Sequence, residues 1–189
     1  MSRTFITGST DGLGLMAAEL LLKDGHHDAV IHFAVNVLAP YLLTALIARP
    51  QRLVYLSSGL HTGGDAAFDD PQWERRRWNG AQGYSDSKLD DILLAFAVAR
   101  RWPGVRSNAV EPGWVPTKMG GPGAPDDLSL GPVTQAWLAA GDDPRTHATG
   151  EYLYHQHPRR THPAAHDPRR QNALLDYCAA LTSTPLAEP

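Results

Sequence analysis

Residues 3–23 read RTFITGSTDGLGLMAAELLLK, and this stretch decides the fold. Arg3 to Thr7 is a short β-prone run, whereas Gly12 to Lys23 carries apolar residues at helical spacing among good helix formers and closes at Gly25. Between them Gly8, Gly12 and Gly14 are spaced G-x3-G-x-G. Strand, glycine turn and helix in that order predict the opening unit of an α/β sheet. Glycines let the backbone turn tightly and approach a ligand, and the N–H groups at the start of the new helix attract a diphosphate. Without a ligand, the same pattern is an ordinary β-to-α turn.

The chain downstream extends this unit. Asp28 to His32 (DAVIH) is a short apolar run expected to form a strand, followed by a helix-favouring segment from Phe33 to Ile47 that Pro40 should kink or deprive of one backbone bond. Arg52 to Ser58 (RLVYLSS) reads as a buried parallel strand ending in two serines. Residues 59–82 form a long polar insert containing Trp73 and Trp78, a length that is usually functional or ordered by its own aromatics. A long amphipathic helix then stops at Pro103-Gly104, Val105 to Val110 reads as a strand, and EPGWVPT follows. Gly120 to Asp127 is expected to be a mobile flap, Gly131 to Ala140 a short helix, Glu151 to Tyr154 a final strand and Pro168 to Leu181 a terminal helix.

Residues 83–94, GYSDSKLDDILL, carry the chemistry. Tyr84 and Lys88 stand four apart on a helix, so an ammonium can sit near a phenol. A nearby positive charge favours phenolate, which is what a tyrosine acid/base needs. Two serines at the carboxyl end of a parallel strand face the ligand crevice, where a hydroxyl can donate to a substrate oxygen. Taken singly, each of these is commonplace. A tyrosine and a lysine four apart usually mark a solvated face, and strand-end serines often only bond the nearby backbone.

With 189 residues, 42% hydrophobic and 20% charged, the chain is expected to be one domain spanning 1–189. A net charge of -3 gives no basic field for nucleic acid or an anionic membrane, so the expected partner is a small molecule. The single cysteine, Cys178, excludes an internal disulfide framework. No apolar run of about 18 residues and no signal-peptide pattern occurs, so a cytoplasmic protein is expected. His155, His157, His162 and His166 cluster among prolines without a persuasive zinc spacing, and no metal is expected.

Three motifs in order, TGSTDGLG, YSDSK and PGWVPT, resemble the short-chain dehydrogenase/reductase family, and the long spacing from Ser58 to Tyr84 is similar to its retinol-dehydrogenase-like branch. The resemblance implies a Rossmann-like, doubly wound parallel α/β sheet and an NAD(P)-dependent oxidoreductase moving hydride between nicotinamide and an alcohol or carbonyl substrate. It implies Tyr84 as acid/base, Lys88 as its acidifier and ribose ligand, Ser58 as the group polarising the substrate oxygen, and Asn36 as support for a proton relay. It further implies cofactor contacts from Gly8, Ser9, Thr10, Asp11, Gly12, Leu13 and Gly14, from Tyr84 and Lys88, and from Pro112, Gly113, Val115 and Thr117. Asp11 leans slightly to NAD over NADP.

Between Gly25 and Asp28 the family places two further strand-helix units, at roughly 30 residues or more each, so about 50 to 60 residues are missing here. A second, smaller gap follows His32. The first gap removes the residue that reads the adenine ribose. It also leaves an open sheet edge near Arg3 to Thr7, which favours a homo-oligomer, by resemblance a dimer through the helices of Phe33–Ile47 and Tyr84. The alternative is a shortened, catalytically impaired scaffold that binds a ligand or partner without turnover.

Overall fold

The computed structural model describes residues 4–7 and 32–188. The turn from Gly8 to Gly14, the helix expected over 12–23 and residues 28–31 lie outside the described residues. Strands β1 (Thr4–Thr7), β2 (Arg52–Leu56), β3 (Arg106–Glu111) and β4 (Tyr152–Tyr154) are parallel neighbours in that order, and β5 (His157–Pro158) joins β4 antiparallel. β1 pairs with β2 along its whole length, from Thr4 opposite Arg52 to Thr7 opposite Tyr55. β1 and β2 are direct neighbours, and His32, the last residue of the strand expected at 28–32, is helical; the rest of that expected strand lies outside the described residues.

Alternation along the strands puts helices on both faces. Leu53 and Tyr55 of β2, Ala109 of β3 and Tyr152 of β4 share one core with the long helix below, while Val54, Val110 and Leu153 face the opposite side with Leu138. The sheet is therefore parallel apart from β5, Rossmann-like and wound on both sides. Among the described strands its order follows the chain without reversal. The reversal at which a full doubly wound sheet opens its ligand crevice is thus not built from the described strands.

A π-helical turn (Ala34–Leu38) runs directly into α1 (Ala39–Leu46). Pro40 explains the change of register. It lacks the N–H that an α-helix would direct at the Asn36 carbonyl, and the backbone widens there, with Ala39 N–H reaching Ala34 O. The helix accommodates its proline by a π turn.

α2 (Gly80–Arg101) is the central element. Asn79 caps it by accepting the Gln82 N–H at 3.2 Å, which starts the helix a turn before Tyr84. The amphipathic pattern expected of it is absent: every residue from Asp86 to Val98 is buried. The sheet, the π turn, the insert and the terminal helix α4 (Pro168–Thr182) surround it. Consequently α2 offers no free face over that length for contact with a second copy.

The insert after β2 begins with a 3-10 turn (Gly59–Gly63) and is then held by its own side chains. The Asp70 carboxylate accepts the backbone N–H groups of Glu74, Arg75 and Arg76 at 2.8, 3.2 and 3.1 Å. Trp73 and Trp78 meet edge to face at 5.0 Å, the Arg76 guanidinium stacks on Trp73 at 3.6 Å, and it donates to Asp86 of α2 at 3.0 Å. α3 (Val133–Ala140) covers the other face of the sheet.

Candidate active site

The site forms where α2 crosses the carboxyl end of β2. Lys88 is buried at 7% exposure, and its Nζ donates to the Leu56 carbonyl at 3.0 Å and to Asp91 Oδ2 at 2.8 Å. One residue on, the Ser57 hydroxyl donates to the Lys88 carbonyl at 2.7 Å while its N–H bonds Val110 O at 2.8 Å. Helix, β2 and β3 are thus tied together at one point. Tyr84 lies one turn before Lys88, half-buried, with the ammonium 5.7 Å from its ring centroid.

Ser58 follows immediately after the strand. It caps the 3-10 turn, its hydroxyl accepting the Leu60 N–H at 3.3 Å, and it keeps partial exposure. Its carbonyl is fixed by His61. The His61 Nε2 accepts the backbone N–H of His162 at 3.3 Å, so Nδ1 carries the proton and donates to Ser58 O at 2.7 Å. Burial drives the His61 pKa down, consistent with a neutral ring. The ring also meets Tyr152 edge to face at 4.7 Å, and Tyr152 donates to Glu111 Oε2 at 2.8 Å.

Asn36, in the π turn, donates from Nδ2 to the Ser87 hydroxyl at 3.0 Å, and Ser87 donates to the Tyr84 carbonyl at 2.9 Å. Ser58, Tyr84, Lys88 and Asn36 therefore lie on one connected framework. A second shared feature is the turn after β3. Gly113 adopts φ +93°, and the Asp126 carboxylate accepts the Trp114 N–H at 2.6 Å while Trp114 O accepts the Asp126 N–H at 3.0 Å. The segment expected as a mobile flap is thus tied back onto Pro112–Thr117. Gly8, Ser9, Thr10, Asp11, Gly12, Leu13 and Gly14 lie outside the described residues.

Asp91 and the Glu111–Tyr152 pair are site residues that motif reading missed. An acid three residues after Lys88 in LDDILL was the available signal, since that spacing returns to the same helix face. Burial pushes Asp91 up to about 6 against the pull of Lys88.

Two recesses among the described residues are not substrate chambers. The one between the insert and α2, bounded by Phe33, Trp73, Arg76 and Asp90, holds about 10 Å³, room for one water. The larger, about 280 Å³ beside Arg49 and Trp102, lies at the amino ends of β2 and β3, whereas parallel sheets bind ligands at the carboxyl ends. No group of three or more His, Cys, Asp or Glu among the described residues could hold a metal ion, and no described helix is long and apolar enough to cross a membrane.

An uncharacterised oxidoreductase of Emericella nidulans is 30% identical over 251 residues, covering 94% of this chain and 96% of that protein. The short-chain dehydrogenase chry4 of Gibberella zeae is 36% identical over 159 residues, 82% of this chain and 61% of its own length. The chain belongs to the short-chain dehydrogenase/reductase family. Human retinol dehydrogenase 13 is 37% identical over 98 residues, 48% of this chain and 30% of its own. The crystal structure of an uncharacterised protein from Mycobacterium paratuberculosis shares the fold, with a TM-score of 0.69 at 24% identity over 82% of this chain and 59% of that one. No family model matches. An alignment of 251 residues exceeds the 189 of this short-chain dehydrogenase, so its Emericella relative carries internal segments that it lacks. It is a shortened member of the family.

Proposed function

We propose that this chain is a single-domain, NAD(P)-dependent oxidoreductase acting on a small alcohol or carbonyl compound. The observation that carries the reading is the junction itself: Lys88 bonded to the Leu56 carbonyl and Ser57 to the Lys88 carbonyl bring the strand-end serines and the Tyr84 helix to one place. Ser58 donates to the substrate oxygen, and Tyr84 gives or takes the proton on that oxygen. Lys88 favours the phenolate of Tyr84 and binds the nicotinamide ribose. Asn36 steadies the helix pair behind them through Ser87.

A nicotinamide cofactor supplies or accepts the hydride. The residues that would hold it are the turn Gly8–Gly14, Tyr84, Lys88 and the turn Pro112, Gly113, Val115 and Thr117. The fit is good for the nicotinamide half, because Gly113 takes a left-handed backbone there and Asp126 fixes the turn. It is poorer for adenosine, since β1 is an edge among the described strands. Asp11 favours NAD, and the open β1 edge favours a homodimer.

The test is a fluorescence titration with NADH and with NADPH, followed by turnover of generic aldehydes and secondary alcohols in wild type and Tyr84→Phe. Binding, together with turnover that falls about 10²- to 10⁴-fold in the variant, supports the enzyme. The edge position of β1 favours a second reading, a scaffold that binds without turnover. Absence of binding by both cofactors at millimolar concentration supports it.

A further inference from the structure

We propose that Asp91 is a positioning residue that sets how strongly Lys88 acts on Tyr84, by holding the lysine ammonium in a buried ion pair and cancelling part of its charge. The inference rests on the oxidoreductase reading above, and it concerns a residue outside the motifs that identify the family.

The geometry is specific. Lys88 Nζ lies 2.8 Å from Asp91 Oδ2, with the two side chains only 9% and 3% exposed. An ammonium has three N–H donors, and two of them are used, on Asp91 and on the Leu56 carbonyl at 3.0 Å. One remains for the site. The position of Nζ is thus fixed from the strand side and from one turn further along the helix, and its attraction for a phenolate is shared with a carboxylate at contact distance. In a buried setting that partition matters, because Coulomb terms are several times larger than in water.

Other ionisable groups around the pair are few and placed differently. Tyr55 of β2 feels the Asp91 charge and is held by a 2.7 Å bond to the Thr44 hydroxyl of α1. Asp90 adjoins on the same helix, with burial raising its pKa. Around Tyr84, His32 packs edge to face at 6.4 Å and Tyr152 of β4 lies within electrostatic range, bonded to Glu111 of β3. Among them only Asp91 touches the lysine nitrogen.

The experiment follows the ionisation of Tyr84 by carbon NMR of tyrosine-labelled protein, with the resonance assigned by its loss in Tyr84→Phe. Wild type, Asp91→Asn, Lys88→Met and the double variant are compared. Asp91→Asn keeps the shape and an acceptor but removes the charge, so the Tyr84 transition should move to lower pH by on the order of one unit. Lys88→Met should move it to higher pH, and the downward shift from Asp91→Asn should be smaller in the Lys88→Met background than in wild type, the difference being the part carried through the lysine. Asp91→Ser gives a second neutral side chain should the asparagine variant fail to fold, and Asp91→Glu should restore wild-type behaviour. If Lys88→Met raises the transition while the neutral Asp91 variants leave it unmoved, the role of Asp91 is overturned and the acid/base pair stands. If Lys88→Met leaves it unmoved as well, both readings fall.

Discussion

The two polar faces of α2 are both buried, yet they are finished differently. On one face Lys88 and Asp91 neutralise each other and bond the end of β2. On the other, Asp86 is matched by Arg76 of the insert, but Asp90 Oδ1 is buried with no hydrogen-bond partner. A paired charge can stay ionised in a dry environment, whereas an unmatched carboxyl lowers its cost by keeping its proton. The first face therefore sets Lys88 beside the Tyr84 ring, and the second holds a carboxyl whose pKa burial raises, beneath a cover of tryptophans. One helix thus has one face closed by an internal ion pair and another closed by the insert.

The largest effect should come from breaking the paired face. Lys88→Met leaves Asp91 buried without its cation, and unpairing one partner of a buried ion pair costs about 3–5 kcal/mol. Urea unfolding at neutral pH should show that loss. It should shrink as the pH is lowered, because Asp91, already pushed up to about 6 by burial, then takes a proton. A loss that is independent of pH would mean that the pair is not the source.

A smaller effect tests the other face. A Cβ on Gly83 would lie 2.3 Å from a Trp78 ring carbon, so Gly83→Ala must displace the tryptophan that closes the insert over α2. Alanine is favoured over glycine in a helix by about 1 kcal/mol, but overpacking costs about 1–3 kcal/mol, and net destabilisation with a change in tryptophan fluorescence is expected. Gly63→Ala, where nothing lies within 4 Å of the added carbon, is the control and should stay within about 0.5 kcal/mol of wild type. Equal losses at both glycines would show that Trp78 does not anchor the insert.

These two faces also mark what could be read from sequence. Tyr84, Lys88 and Ser58 were legible because helical spacing and strand-end placement are local properties, and the alternation of Leu53, Val54 and Tyr55 followed from period two. Asp91 and Asp90 were not: acids in a helix normally mark a solvated face, and only the packing of the π turn, α4 and the insert around α2 buries them. DAVIH shows a related limit at its last residue: apolar β-prone composition suits a strand, but His32 is helical. The π turn could be approached, since Pro40 announced a missing bond, though not the way the backbone would absorb it.

The smallest expected effect is the one that isolates the unmatched carboxyl. Burial raises the Asp90 pKa well above the ordinary carboxylate range, with the charges of Asp91, Asp86 and Asp65 adding to it. A carboxyl raised on folding binds its proton more tightly in the native state than in the unfolded one. Its contribution is therefore complete below the unfolded value, near pH 4, and is lost as pH rises toward the folded value. Asp91 adds a fall of the same sign between about 4 and about 6. Asp90→Asn removes only the first of these, so the decline in unfolding free energy as pH rises above about 4 should be shallower in the variant. Asp91→Asn should instead flatten the curve below about pH 6 and leave the remainder. Parallel curves for wild type and Asp90→Asn would mean that Asp90 is ionised and matched after all, and the contrast between the two faces would disappear.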